Sequence, residues 1–64
     1  MTMVETNIII RNERYKVLVM ENKEGYSVSL YRWLNLNYNL IQKEHAHTLD
    51  QASNLIAAFI KSVG

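Results

Sequence analysis

The side chains of this chain that are best suited to binding chemistry are basic and aromatic residues on two neighbouring segments. Aromatic rings on a β-sheet can stack on nucleic-acid bases, and Lys and Arg can bind the phosphates between those bases. An alternative is that the rings belong to a core or a dimer and that the basic stems cover them. The residues in question are Arg14, Lys16, Tyr31, Arg32 and Trp33.

Catalytic and metal-binding patterns are weaker. The chain has no cysteine, which excludes thiol nucleophiles and thiolate metal sites. His45 and His47 would point to the same side of a strand and could contact one metal ion, but a third ligand is hard to assign. The serines lack a His and Asp context, and the two glycines are isolated. We therefore expect a protein that is not an enzyme and that uses no metal or cofactor.

Length and composition predict one small domain over residues 1–64. A chain of this size buries about 60% of its unfolded surface, so its core is thin, and we expect a homodimer to supply further burial. The longest apolar runs have three or four residues, which predicts that no segment spans a membrane. The first residues, MTMVETN, do not resemble a signal peptide, and together with the absence of cysteine this favours a cytoplasmic location.

The net charge of +1 limits the kind of partner. Proteins that bind double-stranded DNA usually carry a clear basic excess, because neutralising phosphates supplies much of their affinity. A nucleic-acid surface on this chain must therefore come from local clustering of cations. A charge near zero is equally consistent with a protein partner.

A predicted hairpin between Tyr15 and Trp33 positions the basic and aromatic residues. Its two strands flank the polar break Asn22-Lys23-Glu24-Gly25, in which Gly25 can take the positive φ that closes a short loop. We align Glu21 with Tyr26. The other opposed pairs are then Val19 with Val28, Val17 with Leu30, Lys16 with Tyr31, and Arg14 with Trp33.

Opposed residues of an antiparallel pair share a sheet face, so this alignment separates a core face from a second face. The core face contains Val17, Val19, Tyr26, Val28 and Leu30. The second face contains Arg14, Lys16, Leu18, Met20, Ser27, Ser29, Tyr31 and Trp33. Any binding function of the sheet depends on this second face.

Two further strands are expected beside the hairpin. The isoleucine-rich segment Asn7 to Arg11 favours a strand, and Met1 to Glu5 is either a frayed end or the start of that strand. We expect a two-residue turn at Asn12-Glu13, although a slightly longer loop is possible. That turn places Arg11 opposite Arg14, Ile10 beside Tyr15 and Ile8 beside Val17.

The asparagine-rich segment Leu34 to Asn39 predicts a turn, and a fourth strand should follow from about Tyr38 to His45. The register of this strand stays open, because Leu40 and Ile41 are adjacent and one of them must face away from the core.

The last part of the chain predicts an amphipathic helix. Thr48-Leu49-Asp50-Gln51 matches a capping box, in which Thr48 accepts from the Gln51 amide and Gln51 reaches back to the Thr48 amide. Gly64 can end the helix. The apolar stripe comprises Ala52, Leu55, Ile56, Phe59, Ile60 and Val63. The predicted fold is therefore α+β: a four-stranded antiparallel meander with one C-terminal helix packed on one face (ββββα).

This arrangement resembles the single-stranded DNA-binding module of the transcriptional coactivator called positive cofactor four and the related Whirly proteins. The resemblance rests on Arg14-Tyr15-Lys16-Val17 opening one strand, Tyr31-Arg32-Trp33 closing the next, and Thr48-Leu49-Asp50 leading into the helix. It implies a module that dimerises through its helices and holds separated strands with basic and aromatic sheet residues. By this resemblance Lys16, Lys23, Arg32 and Trp33 would contact nucleic acid.

Two functions follow as hypotheses. The first is a non-enzymatic single-stranded nucleic-acid-binding protein, a small accessory factor of transcription or replication. Its nucleic-acid-binding residues would be Arg14, Lys16, Lys23, Tyr31, Arg32 and Trp33. The alternative is a protein-interaction module, an inhibitor or antitoxin-like regulator, that docks a partner through its second face. Its TLDQA helix start resembles HicB-type antitoxin domains in outline. The near-neutral charge and the surface formed by Leu18, Met20 and Trp33 favour this alternative.

Overall fold

The computed structural model describes residues 3–64 and contains four antiparallel strands followed by one helix. The elements are β1 (Met3–Ile10), β2 (Glu13–Asn22), β3 (Gly25–Leu34), β4 (Asn37–Ala46) and α1 (Leu49–Val63). The strands lie in the sheet in chain order, so each hairpin joins neighbours. The predicted ββββα fold is confirmed. Of the two alternatives for the first residues, a frayed end or the start of the first strand, the strand is found from Met3, while Met1 and Thr2 lie outside the described residues.

The central hairpin has the predicted register. Glu21 pairs with Tyr26, and the pairing continues without a break to Tyr15 and Arg32. Gly25 has a φ of 133°, as the closing position of the loop requires. The Asn22 side chain accepts a hydrogen bond of 2.9 Å from the Glu24 amide, which forms an Asx-turn that stabilises the loop.

The predicted turn between β1 and β2 is wrong by one position. Arg11 and Asn12 form it, with φ of 52° and 67°, and Ile10 pairs with Glu13. Asn12 thus takes the second left-handed position of the turn, and Glu13 is free to join β2. The pairing moves by two residues, so Ile8 lies opposite Tyr15, and Ile8 and Ile10 stay on the core face.

The turn between β3 and β4 consists of Asn35 and Leu36, and β4 is one residue longer at each end than expected. The register of β4 shifts where Leu30 pairs with Gln42 and Tyr31 pairs with Leu40. Ile41 is therefore the extra residue of a β-bulge. This bulge resolves the ambiguity that the adjacent Leu40 and Ile41 create in the sequence.

The helix begins at the predicted cap. The Thr48 hydroxyl accepts from the Gln51 amide at 3.2 Å, and Gly64 ends the helix by donating to the Ile60 carbonyl at 3.0 Å. The Gln51 side chain accepts from the His47 amide at 2.8 Å and not from the predicted Thr48 amide. Within residues 3–64, no helix is both long and apolar enough to cross a membrane.

The core lies between α1 and the core face of the sheet, chiefly over β3 and β4. Its buried side chains are Tyr15, Val17, Val28, Leu30, Ala46, Ala52 and Phe59. Val28 is 0% exposed, and burial of such a side chain contributes about 1.5–3 kcal/mol. Ile60 of the predicted helix stripe remains 39% exposed, so the helix uses a narrower apolar face than its sequence offers.

Gly25 supports a prediction about stability. A Cβ at this position would lie 2.3 Å from the Ala46 carbonyl oxygen, and the φ is positive. Gly25→Ala should therefore lower the free energy of unfolding by at least about 1–3 kcal/mol, measured by urea denaturation. Gly64→Ala is the matched control, since its added Cβ meets a helix end that can shift, and should cost much less. Equal stability of Gly25→Ala and the native chain would contradict the close approach.

Candidate nucleic-acid interface

The second face lies on the side of the sheet away from α1, and β1 and β4 complete it. Because the strands pair antiparallel on both sides of the bulge at Ile41, side chains of this face form rows that run across all four strands. From the end near the β1–β2 and β3–β4 turns, the rows are Ile9, Arg14, Trp33 and Tyr38; Asn7, Lys16, Tyr31 and Leu40; Glu5, Leu18, Ser29 and Lys43; and Met3, Met20, Ser27 and His45.

Three rings and two cations touch one another in the first two rows, and we call this group the ring–cation cluster. The Trp33 and Tyr38 rings meet edge to face, with centroids 4.9 Å apart and planes at 70°. The Lys16 Nζ lies 4.4 Å from the Tyr38 centroid and 5.0 Å from the Tyr31 centroid. The Arg14 Cζ lies 6.0 Å from the Trp33 centroid. The cations therefore already rest against the rings that a base would use for stacking.

The edge strand β1 holds the ring–cation cluster from one side. The Glu5 Oε1 lies 3.4 Å from the Lys16 Nζ, and the Tyr38 hydroxyl donates to the Asn7 Oδ1 at 3.3 Å. The side chains of Lys16 and Glu5 are 20% and 50% exposed, and an ion pair at such a surface position contributes at most about 1 kcal/mol to stability. Glu5 thus orients Lys16 through a weak contact at the protein surface.

Tyr38 is the member of the ring–cation cluster that the sequence analysis missed. With an unbroken register, Trp33 would lie opposite Asn39 and Tyr31 opposite Ile41. The bulge at Ile41 instead places Tyr38 beside Trp33. Bulges commonly redirect side chains beside functional sites in this way. The signal in the sequence was the adjacent apolar pair that ends at Ile41, which a regular half-exposed strand cannot accommodate.

Charge is unevenly distributed over the described residues. The second face carries the cations Arg14, Lys16 and Lys43, and its carboxylate is Glu5, which gives an excess of two positive charges. The whole chain has a net charge of only +1, so the remaining surface has a slight acidic excess. Local concentration of cations therefore gives this face a positive potential that the total charge conceals.

Four of the predicted binding residues come together on the second face: Arg14, Lys16, Tyr31 and Trp33. Lys23 does not join them, because it lies in the β2–β3 turn at the opposite end of the hairpin. Lys23 lies seven positions after Lys16 along the extended chain, a distance of about 23 Å. A short bound segment that covers the ring–cation cluster would not reach Lys23.

Arg32 also lies apart from the cluster. It pairs with Tyr15, and successive side chains of a strand point to opposite faces, so Arg32 belongs to the core face. Its guanidinium donates to the Glu13 Oε1, and the Tyr15 hydroxyl donates to the Glu13 Oε2 at 2.9 Å. Arg32 therefore completes a structural network at the rim of the core. Its neighbours in sequence, Tyr31 and Trp33, lie on the opposite face of the sheet.

This network shifts two pKa values. The hydrogen bond from Tyr15 lowers the pKa of Glu13, partial burial opposes that change, and the hydrogen bond and charge of Arg32 reinforce it. The same hydrogen bond to Glu13, together with burial, raises the pKa of Tyr15. Glu13 is thus held ionised by its two donors.

The two histidines form a ring pair. The imidazoles of His45 and His47 meet edge to face with centroids 4.9 Å apart. Among residues 3–64 there is no group of three or more His, Cys, Asp or Glu side chains that could hold a metal ion. We assign this pair to packing at the end of β4.

Comparison of the chain with models of known families, with curated proteins and with solved structures finds no match. The resemblances to positive cofactor four, Whirly and HicB-type domains therefore stay predictions.

The Glu13 network predicts a pH-dependent stability difference. Its folded-state pKa lies below the ordinary value of 4.5, so ionised Glu13 stabilises the fold above that pH, and the contribution is lost as the pH falls through the lowered pKa. Glu13→Gln should therefore be less stable than the native chain at neutral pH, and the gap should close in acid. Urea denaturation over a pH series measures this gap.

Glu21→Gln, at an exposed carboxylate of the same strand, is the control and should show no comparable gap. A gap for Glu13→Gln that stayed constant from neutral to acidic pH would mean that its charge has no part in the network.

Proposed function

We propose that this protein binds single-stranded nucleic acid through its second face, as a non-enzymatic accessory factor of transcription or replication. The observation that carries the proposal is the ring–cation cluster: Tyr31, Trp33 and Tyr38 lie on one sheet face with Arg14 and Lys16 resting against them. Rings that stack bases and cations that neutralise phosphates are the two components of sequence-tolerant single-strand binding.

The exchange that binding requires is energetically favourable. A base that stacks on Trp33 displaces Arg14 from the ring and forfeits a cation–π contact worth about 0.5–1 kcal/mol at an exposed site. Stacking of the base contributes about 1–3 kcal/mol. Arg14 is exposed, so its guanidinium can turn from the ring to the adjacent phosphate. Lys16 makes the corresponding move when phosphate replaces Glu5.

The same geometry favours single strands over duplexes. Bases of a closed duplex are stacked on one another and do not offer their faces to Trp33 and Tyr38, whereas every single-stranded base has a free face. Stacking on a ring also discriminates little between the four bases, so we expect binding that depends little on nucleotide sequence. We place this activity in the cytoplasm, in keeping with the absence of cysteine.

A second candidate function is supported by a separate observation. Ile9, Leu40 and Met3 line the outer strands of the second face, and Ile9 is 71% exposed. A protein partner or a second copy of the chain would bury these apolar groups. We therefore keep a protein-interaction module as the alternative, and the homodimer stays a prediction. Sedimentation velocity would support this alternative if the native chain forms a dimer that Ile9→Glu dissociates, and a native monomer would count against the homodimer.

The binding proposal is tested by fluorescence anisotropy with a labelled single-stranded oligonucleotide over a salt series. Arg14, Lys16 and Lys43 together predict a slope of log K against log salt of roughly −2. Trp33→Ala should weaken binding roughly 5- to 150-fold, as loss of one stacking platform implies. Trp33→Phe, which keeps a ring, should lose much less. Circular dichroism would establish that both variants fold.

Charge-matched variants separate the second face from general electrostatics. Arg14→Gln should make the salt slope shallower by about 0.7. Lys61→Gln removes the same charge from the last turn of α1 and should leave the slope unchanged. Absence of binding at about 50 mM salt, where counterion release makes affinity high, would reject the proposal.

A further inference from the structure

Two turns at the same end of the sheet each place both central residues at positive φ. Arg11 and Asn12 have φ of 52° and 67°, and Asn35 and Leu36 have φ of 56° and 65°. Two-residue turns of this kind favour Asn and Gly, because a side chain with a Cβ is disfavoured at positive φ. Arg11 and Leu36 both depart from that preference.

Leu36 gains no burial in return for this conformation. It is 85% exposed at the tip of the β3–β4 hairpin, and the neighbouring Leu34 is also exposed. Glycine after Asn35 would give the preferred Asn-Gly sequence for this turn. Leu36 is strained and exposed, and glycine at its position would make the turn more stable. This combination indicates that the leucine side chain itself has a function.

The position of these turns connects them with the ring–cation cluster. Leu34 follows Trp33 directly and pairs with Asn37, which precedes Tyr38, so the β3–β4 turn lies just beyond the first row, at the end of the strands that carry Trp33 and Tyr38. The β1–β2 turn, with Arg11, lies about two strand spacings away, roughly 10 Å. A nucleic-acid strand stacked on the rings would leave the sheet past an exposed leucine and an exposed arginine.

We propose that Leu36 is a wedge that stacks against the last base pair of a duplex whose single-stranded extension lies on the second face, and that Arg11 binds a phosphate at this junction. This inference rests on the proposed function and names its substrate class: single strands that continue into a duplex, such as tailed hairpins. Apolar side chains that contact base steps are an established way for proteins to stack on or separate bases. Proximity to the ring–cation cluster, whose rings can stack bases, favours this occupant over a lipid surface.

The test compares two labelled substrates that share one single-stranded segment, alone or attached to a hairpin duplex. The native chain should bind the tailed hairpin at least about fivefold more tightly than the single strand. Leu36→Gly and Leu36→Asn should bring this ratio to near one and leave single-strand affinity unchanged. Both should also shift the urea midpoint upwards, because Gly and Asn favour the turn. Leu49→Asn, at another exposed leucine, is the matched control and should keep the preference.

The outcomes distinguish this inference from the function on which it rests. Normal single-strand binding without a preference for the tailed hairpin would overturn the wedge and leave the proposed function intact. Equal losses on both substrates in the Leu36 variants would also overturn it, by making Leu36 part of the single-strand site. Binding of neither substrate would reject both proposals. Co-sedimentation with phosphatidylserine-containing vesicles that depends on Leu36 would identify lipid as the occupant and overturn the wedge.

Discussion

The pairing register of β2 and β3 is the constraint on which the rest of the structure depends. Side chains alternate along a strand, so a slip of one residue would exchange the two faces completely. Two contacts stabilise the turn that fixes this register. The Asn22 side chain accepts a hydrogen bond from the Glu24 amide, and Gly25 lies so close to the Ala46 carbonyl that no Cβ fits there. One glycine therefore fixes both the central hairpin and the end of β4 from which the chain continues into α1.

The two faces of the sheet are stabilised in different ways. The core face is closed by α1, and Val17, Val28 and Leu30 are almost fully removed from solvent. The second face has no such cover among the described residues, and its rings are ordered by contacts with each other and with Arg14 and Lys16. Because the edge-to-face contact between Trp33 and Tyr38 does not depend on these cations, a ligand would have little ordering of the two rings to impose, which lowers the entropic cost of binding.

Local signals in the sequence predicted the parts of the fold that depend on local physics. Gly25 could close the central turn, and Thr48 with Gln51 predicted the helix start. These features gave the ββββα order, the two faces and the positions of Arg14, Lys16, Tyr31 and Trp33. They depend on backbone preferences and side-chain period, which a single sequence displays.

The features that the sequence did not reveal depend on tertiary context. Arg11 takes a left-handed turn position against its intrinsic preference, so the turn was placed one residue too late. The bulge at Ile41, which brings Tyr38 to Trp33, appears only when β3 and β4 are paired. Arg32 was grouped with its neighbours in sequence, although strand alternation sends it to Glu13 on the core face.

An NMR titration of the isotope-labelled protein with a single-stranded oligonucleotide, observing side-chain signals along β2 and β3, identifies which sheet face binds. Because alternate residues of these strands lie on opposite faces, binding through the second face should shift the signals of Arg14, Lys16, Tyr31 and Trp33 and leave those of Tyr15, Val17 and Arg32 little changed. The contradicting result is a set of shifts centred on Tyr15, Arg32 and the helix, which would place the binding surface on the other side of the sheet.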